Sequence, residues 1–188
     1  MAIAGRILLA DDEEIFLNST AELLRQQGYE CLCAADAATA AALLKDHSCD
    51  LLIADINMPG NPELELIKRL PEIAAGLPVI LVTGFPSMQT AVSSIRLPVI
   101  AYLIKPIDFE ELLGNVRTAV SRFRSERAVV NAQLRLQTWR QELENLERLT
   151  AVTDIRARTF PVETFINLTL HNIVGCLTDL RQLIEALT

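Results

Sequence analysis

Five short apolar runs, each leading into an amphipathic stretch, dominate the first 115 residues of the chain. The runs are Ile7–Ala10, Tyr29–Ala34, Leu51–Ala54, Val79–Val82 and Ile100–Ile104. Runs this short, bounded by turn signals, fit strands buried on both faces of a parallel sheet. Between them the stretches Ile15–Gln27, Ala37–His47, Pro62–Leu70 and Ser87–Ile95, and one from Asp108 onward, carry helical spacing of apolar residues. Gly28, just before Tyr29, reads as the stop of the first helix. Strict alternation of strand and helix predicts an α/β fold with a doubly wound, five-stranded parallel sheet.

From Phe109 the pattern changes, and no strand signal returns. Leu112, Leu113, Val116, Val120 and Phe123 suit the last helix of the α/β domain. Then Val129, Ala132, Leu136, Trp139, Leu143 and Leu146 step by three and four, the seam of a short coiled coil. Thr150–Thr159 interrupts this, with Pro161 placed near the start of a further helix. In that helix Ile166, Leu170, Ile173, Leu177, Leu180, Ile184 and Leu187 keep a 4-3 step. Two helices alone cannot cover both seams, so a homodimer forming a four-helix bundle is expected. The expected domains are 1–123 and 124–188.

Charge divides at the same place. Residues 1–115 hold 7 Lys/Arg against 16 Asp/Glu, and residues 116–188 hold 10 against 8. The apolar start of the chain runs directly into Asp11, Asp12, Glu13 and Glu14, unlike a secretory signal. No run reaches the roughly 18 apolar residues of a membrane span. A cytoplasmic protein is expected, with Cys31, Cys33, Cys49 and Cys176 as reduced thiols, since their spacing suits no metal.

Doubly wound sheets carry their sites at the carboxyl ends of the strands. Asp11 and Asp12 follow the first run, Asp55 the third, Thr83 the fourth, and Lys105 with Pro106 the fifth. Three carboxylates brought together repel unless a cation neutralises them. Oxygen-only ligands favour a hard ion, and Mg²⁺ characteristically combines one or two carboxylates with a phosphate oxygen. A carboxylate beside such an ion is a nucleophile toward phosphorus, giving an aspartyl phosphate. Thr83 and Lys105 are placed to contact the phosphoryl oxygens.

The segments ILLADDEE, LLIADINMPG, VILVTGF and AYLIKPID, in that order and spacing, make residues 6–123 resemble the receiver domains of two-component response regulators. The resemblance implies a flavodoxin-like fold, Asp55 as phosphoacceptor, and Asp11 with Asp12 as the acidic pair. It also implies a backbone carbonyl of Asn57 among the Mg²⁺ ligands and a sensor histidine kinase or phosphotransfer protein as phosphoryl donor. Thr83 and Tyr102 match the positions that reorient on phosphorylation, and Lys105 matches the family's lysine. Glu14 stands where proline is frequent, and Pro98 where glycine is typical, stiffening the approach to Tyr102.

The remaining third offers two further features. Arg117, Arg122, Arg124, Arg127, Arg135 and Arg140 form a basic stretch that reads as a solvated helix face rather than a nucleic-acid surface. His171 lies beside the seam residue Leu170, in a segment resembling a histidine-kinase phosphoacceptor helix, with Asn172 where an acid is usual. The expected function is a response regulator whose phosphorylation at Asp55 switches a helical dimerisation or partner-docking extension. The alternative is a phosphotransfer protein or truncated hybrid kinase using His171, and a DNA-binding regulator comes third.

Overall fold

The computed structural model describes residues 3–152 and, beyond them, residues 167, 169–175, 177, 178 and 181. The chain divides into two compact units, Met1–Phe123 and Arg124–Thr188.

In the first unit the order is β1 (Gly5–Ala10), α1 (Glu14–Gln26), β2 (Tyr29–Ala34), α2 (Ala37–Asp46) and β3 (Leu51–Asp55). There follow α3 (Glu65–Lys68), α4 (Leu70–Ile73), β4 (Val79–Thr83), α5 (Met88–Ser94), β5 (Val99–Ile104) and α6 (Phe109–Val152). The five strands are parallel and ordered β2-β1-β3-β4-β5. Successive side chains of a strand face opposite ways, and the core separates accordingly. Ile7, Leu9, Leu51, Ile53, Ile80 and Val82 pack with Leu17, Ala21 and Leu24 of α1 and with Leu112, Leu113, Val116 and Val120 of α6. Leu8, Ala10, Leu52, Ala54 and Leu81 pack on the other face with α2, α3 and α4. Cys31 and Cys33 belong to one of these layers, as their i, i+2 spacing requires. Burial raises the thiols of Cys31 and Cys49 to about 11, which leaves little thiolate at neutral pH.

Local chemistry sets the helix starts. The Asp36 carboxylate accepts the Thr39 N–H at 2.8 Å at the start of α2, and the Ser87 hydroxyl accepts that of Thr90 at 3.1 Å at the start of α5. Asp108 accepts from the amides of Glu110 and Glu111 at the start of α6. Each satisfies an amide that the helix itself leaves unpaired. Gly28 ends α1 at φ 88°, a conformation that costs a glycine little.

The single helix expected over Pro62–Leu70 does not form. Pro62–Leu64 makes one 3₁₀ turn, Glu63 and Leu64 stand at φ 49° and 64°, and two four-residue helices follow. The apolar spacing that suggested a helix is real, because Leu64, Leu66, Ile67 and Leu70 are all buried. The backbone reaches that burial by a kinked path. The β4–β5 pairing also shifts register between Val79 and Ile80, directly after Pro98, whose carbonyl accepts the Val79 N–H at 2.9 Å.

In the second unit Thr169 and Asn172 are half-buried and Gly175 is buried. A Cβ on Gly175 would fall on the Arg135 guanidinium. This inward strip is small and polar, whereas Leu170, Ile173, Val174 and Leu177 are exposed. His171 is helical and exposed. Of the expected seam of α6, Ala132 and Trp139 are half-buried, and Val129 and Leu136 are exposed. Pro161, Ile166, Cys176, Leu180, Ile184 and Leu187 lie outside the described residues. No helix among the described residues is long and apolar enough to cross a membrane.

Candidate functional site: a carboxylate cluster at the strand ends

Strand order reverses at β1: β2 lies on one side of it and β3 on the other. Such a switch point opens a crevice outside the carboxyl ends of the strands. Register then aligns the neighbours, pairing Ala10 with Ala54, Asp55 with Val82, and Thr83 with Ile104. Asp55 and Thr83 are thus the last residues of their strands, and Asp11 and Lys105 are the first residues beyond theirs.

One carboxylate oxygen from each of Asp11, Asp12 and Asp55 falls within 4.8 Å of the others. Asp11 and Asp55 are buried at 2% and 5% exposure, whereas Asp12 is open to solvent. Lys105 Nζ lies 2.8 Å from Asp11 Oδ2 and 2.8 Å from Glu13 Oε1. It also sits 4.4 Å from the centre of the Phe16 ring, within cation–π range. The Lys105–Pro106 peptide is cis.

Burial pushes the Asp55 carboxyl above its ordinary value; Lys105 opposes this and Asp11 adds to it. Burial likewise raises Asp11, against the pull of Lys105 and of the Glu13 N–H. For Lys105, burial lowers the ammonium, but Asp11 and Glu13 outweigh it and leave the group above its usual value. The site therefore holds more negative charge than its one lysine neutralises.

Whether these residues suit a metal ion is decided by their unused oxygens. Asp55 Oδ1 and Asp11 Oδ2 are both buried and accept no hydrogen bond; the contact of Lys105 with Asp11 Oδ2 is an ion pair without hydrogen-bond alignment. Buried polar atoms are ordinarily satisfied. An orphaned Asp55 oxygen and an Asp11 oxygen held only by an ion pair, beside a third, solvent-facing carboxylate, fit a hard divalent cation that retains water.

The surroundings hold the site in place. Asn61, 2% exposed, donates from Nδ2 to the carbonyls of Asp55 and Ile56 at 3.1 and 3.2 Å, and its Oδ1 accepts the Leu66 N–H at 3.1 Å. Thr83 Oγ1 accepts from Asn57 Nδ2 at 3.1 Å and from the Phe85 amide at 3.0 Å. The Tyr102 hydroxyl meets that of Thr90 at 3.0 Å. A cleft of about 510 Å³ lies on the Asn57 side, lined by Asn57, Met58, Asn61, Gln89 and Thr90 among others.

Asp11, Asp12, Asp55 and Lys105 thus gather at one rim, with Thr83 tied to Asn57 beside them. His171 belongs to the second unit. Three contributors carried no recognised signal in the sequence. Glu13 was hidden in an acidic run, Asn61 in a turn, and Thr90 in an unremarkable helix start.

The family model described as "Response regulator receiver domain" matches residues 7–117. The regulatory protein AtoC of Escherichia coli is 30% identical over 148 residues, covering 79% of this chain and 29% of AtoC. The transcriptional regulatory protein PdtaR of Mycobacterium tuberculosis is 32% identical over 124 residues, covering 65% of this chain and 60% of PdtaR. The chain therefore spans less than two thirds of either relative. A CheY-like receiver domain structure from Methanospirillum hungatei is 30% identical at TM-score 0.63, covering 66% of this chain and 99% of that one. The receiver domain of the hybrid histidine kinase CckA is 32% identical at TM-score 0.52, covering 62% and 99%. The aligned strand ends, the acidic cluster and these likenesses agree, and the chain belongs to the response regulator receiver domain family of two-component systems.

Proposed function

We propose that the Asp55 carboxylate accepts a phosphoryl group from a sensor histidine kinase or a phosphotransfer protein. The observation that carries this reading is the buried, unpartnered Oδ1 of Asp55 within a cluster of three carboxylates. Asp11, Asp12 and Asp55, with the backbone carbonyl of Asn57, would hold Mg²⁺. When bound, the ion supplies charge neutralisation for the carboxylates and the incoming phosphoryl oxygens.

The chain's own groups do the rest. An Asp55 oxygen attacks phosphorus; the P–O bond forms as the P–N bond of the donor phosphohistidine breaks, its electron pair staying on the imidazole. The Lys105 ammonium and the Thr83 hydroxyl take phosphoryl oxygens, so transfer depends on their positions. Thr83 accepts from Asn57 and Phe85 and so keeps its O–H for a phosphoryl oxygen; as it turns to donate, Tyr102 reorients with it, a two-state change biased by one charged group. The exposed row Leu170, Ile173, Val174 and Leu177 supports homodimerisation of the second unit as the element the switch acts on, in a cytoplasmic protein.

The test is intact mass after incubation with acetyl phosphate and Mg²⁺, for wild type, Asp55→Asn and His171→Ala. One phosphoryl mass gained by wild type and His171→Ala, and absent from Asp55→Asn, is the expected result. A gain kept by Asp55→Asn and lost by His171→Ala would move the acceptor to the histidine.

A further inference from the structure

Lys105 is held by two carboxylates in unequal settings, and neither is Asp55. Among the described residues its ammonium makes ion pairs with Asp11 and Glu13 at 2.8 Å each, and no direct pair with Asp55. The lysine side chain is 12% exposed, Asp11 is 2% and Glu13 is 65%. Asp11 is fixed from both ends, since its Oδ1 also accepts the Glu13 N–H at 2.9 Å. Glu13 holds Lys105 through the better-formed contact, a hydrogen bond from Nζ to Oε1. The backbone of Glu13 is set at the start of α1 by that same Asp11 oxygen, so its side chain is the adjustable member of the group.

We propose that Glu13 is a positioning residue that parks the Lys105 ammonium away from Asp55 in the resting protein and releases it when a phosphoryl group arrives. The inference rests on the reading of Asp55 as acceptor. An ammonium has three N–H donors. One donor goes to Glu13, while the ion pair with Asp11 and the Phe16 ring beneath the nitrogen hold the charge in place, so the ammonium moves toward Asp55 only by lengthening one of these contacts. Glu13 is the partner to yield: a carboxylate this exposed regains its hydration at little cost, whereas leaving Asp11 would strand a buried charge. The exchange then swaps one charged partner of Lys105 for another, and the length of the Glu13 side chain sets how firmly the resting state holds.

Beryllofluoride, which imitates a phosphoryl group on a carboxylate, tests this without turnover. Its binding with Mg²⁺ is followed by ¹⁹F NMR on the full chain, with the amide spectrum verifying that each variant is folded. Glu13→Gln removes the charge, and Glu13→Asp keeps the charge but shortens the reach to Lys105. Both are expected to bind about threefold to tenfold more tightly than wild type, and Lys105→Met is expected to abolish that difference. If Glu13→Asp behaves as wild type while Glu13→Gln binds more tightly, the effect is general charge repulsion and the parking role is wrong. Persistence of the gain in the Lys105→Met background, or weaker binding by both variants, overturns it as well. Absence of a bound signal in wild type, unchanged by Asp55→Asn, would remove the acceptor assignment itself, and the role of Glu13 with it.

Discussion

The Tyr102 hydroxyl lies 3.0 Å from the Thr90 hydroxyl, joining the middle of β5 to the first turn of α5. Thr90 also bonds the Ser87 carbonyl and hydroxyl, so the residue that anchors the tyrosine is part of the helix start itself. Thr90→Val keeps the shape and removes the bond. It should free the Tyr102 ring and cost about 1 kcal/mol of stability, the usual worth of a half-buried hydrogen bond. The Tyr102 ring resonances and a urea titration would report the two effects, and unchanged ring resonances would contradict the latch.

The carboxylates give stability a definite pH dependence. Folding raises Asp11 and Asp55, so the folded chain binds their protons more readily than the unfolded chain. Their contribution is therefore full below the unfolded value of about 3.9 and is lost as pH rises through the folded values. Without divalent cations, Asp55→Asn should be more stable than wild type at pH 7 by about 1 kcal/mol, on the order of 4 °C in Tm. The advantage should fade on acidification. Scanning calorimetry at several pH values would refute this if the variant melted below wild type at neutral pH.

Divalent cations should act in the opposite sense. Saturating Mg²⁺, at about a hundred times its dissociation constant, is expected to stabilise wild type by about 2.7 kcal/mol. EDTA should reverse the gain. Asp12→Ala, which removes the solvent-facing carboxylate, should lose most of it while keeping its metal-free melting temperature within a few degrees. Thermal melts with and without Mg²⁺ measure both.

Asn61 ties together three backbone groups next to the acceptor. Asn61→Ala leaves two carbonyls and one amide in a buried turn without their partner, at a cost of about 2–3 kcal/mol. A shift of the urea midpoint with unchanged m-value is the expected signature.

The exposed leucine row of the second unit predicts association. Leu170→Asp combined with Leu177→Asp should halve the mass seen by light scattering and leave the receiver's melting transition in place. A monomeric wild type would contradict the proposed dimer.

The sheet was legible because each strand is mostly apolar, and the observed strands differ from the expected runs by at most two residues at their ends. Those end residues matter most: Asp55 closes β3 as expected, and Thr83 closes β4 rather than following it. The stretch after Asn61 was misread because periodicity reports which side chains are buried, and a kinked backbone can bury the same ones as a helix. The contact between Glu13 and Lys105 spans 92 positions. An acidic run gives no local sign of which member will meet a distant lysine, so the five residues named from strand ends were accessible and their adjustable neighbour was not.

The consecutive left-handed residues Glu63 and Leu64 have a dynamic consequence. Neither side chain favours that torsion, and the second is held there by complete burial. Once Leu64 slips from its socket, torsional relaxation favours further opening rather than return. Amide protons between residues 62 and 73 should therefore trade with deuterium well before those of the adjoining strands, marking this stretch as the first part of the sheet's outer cover to come loose.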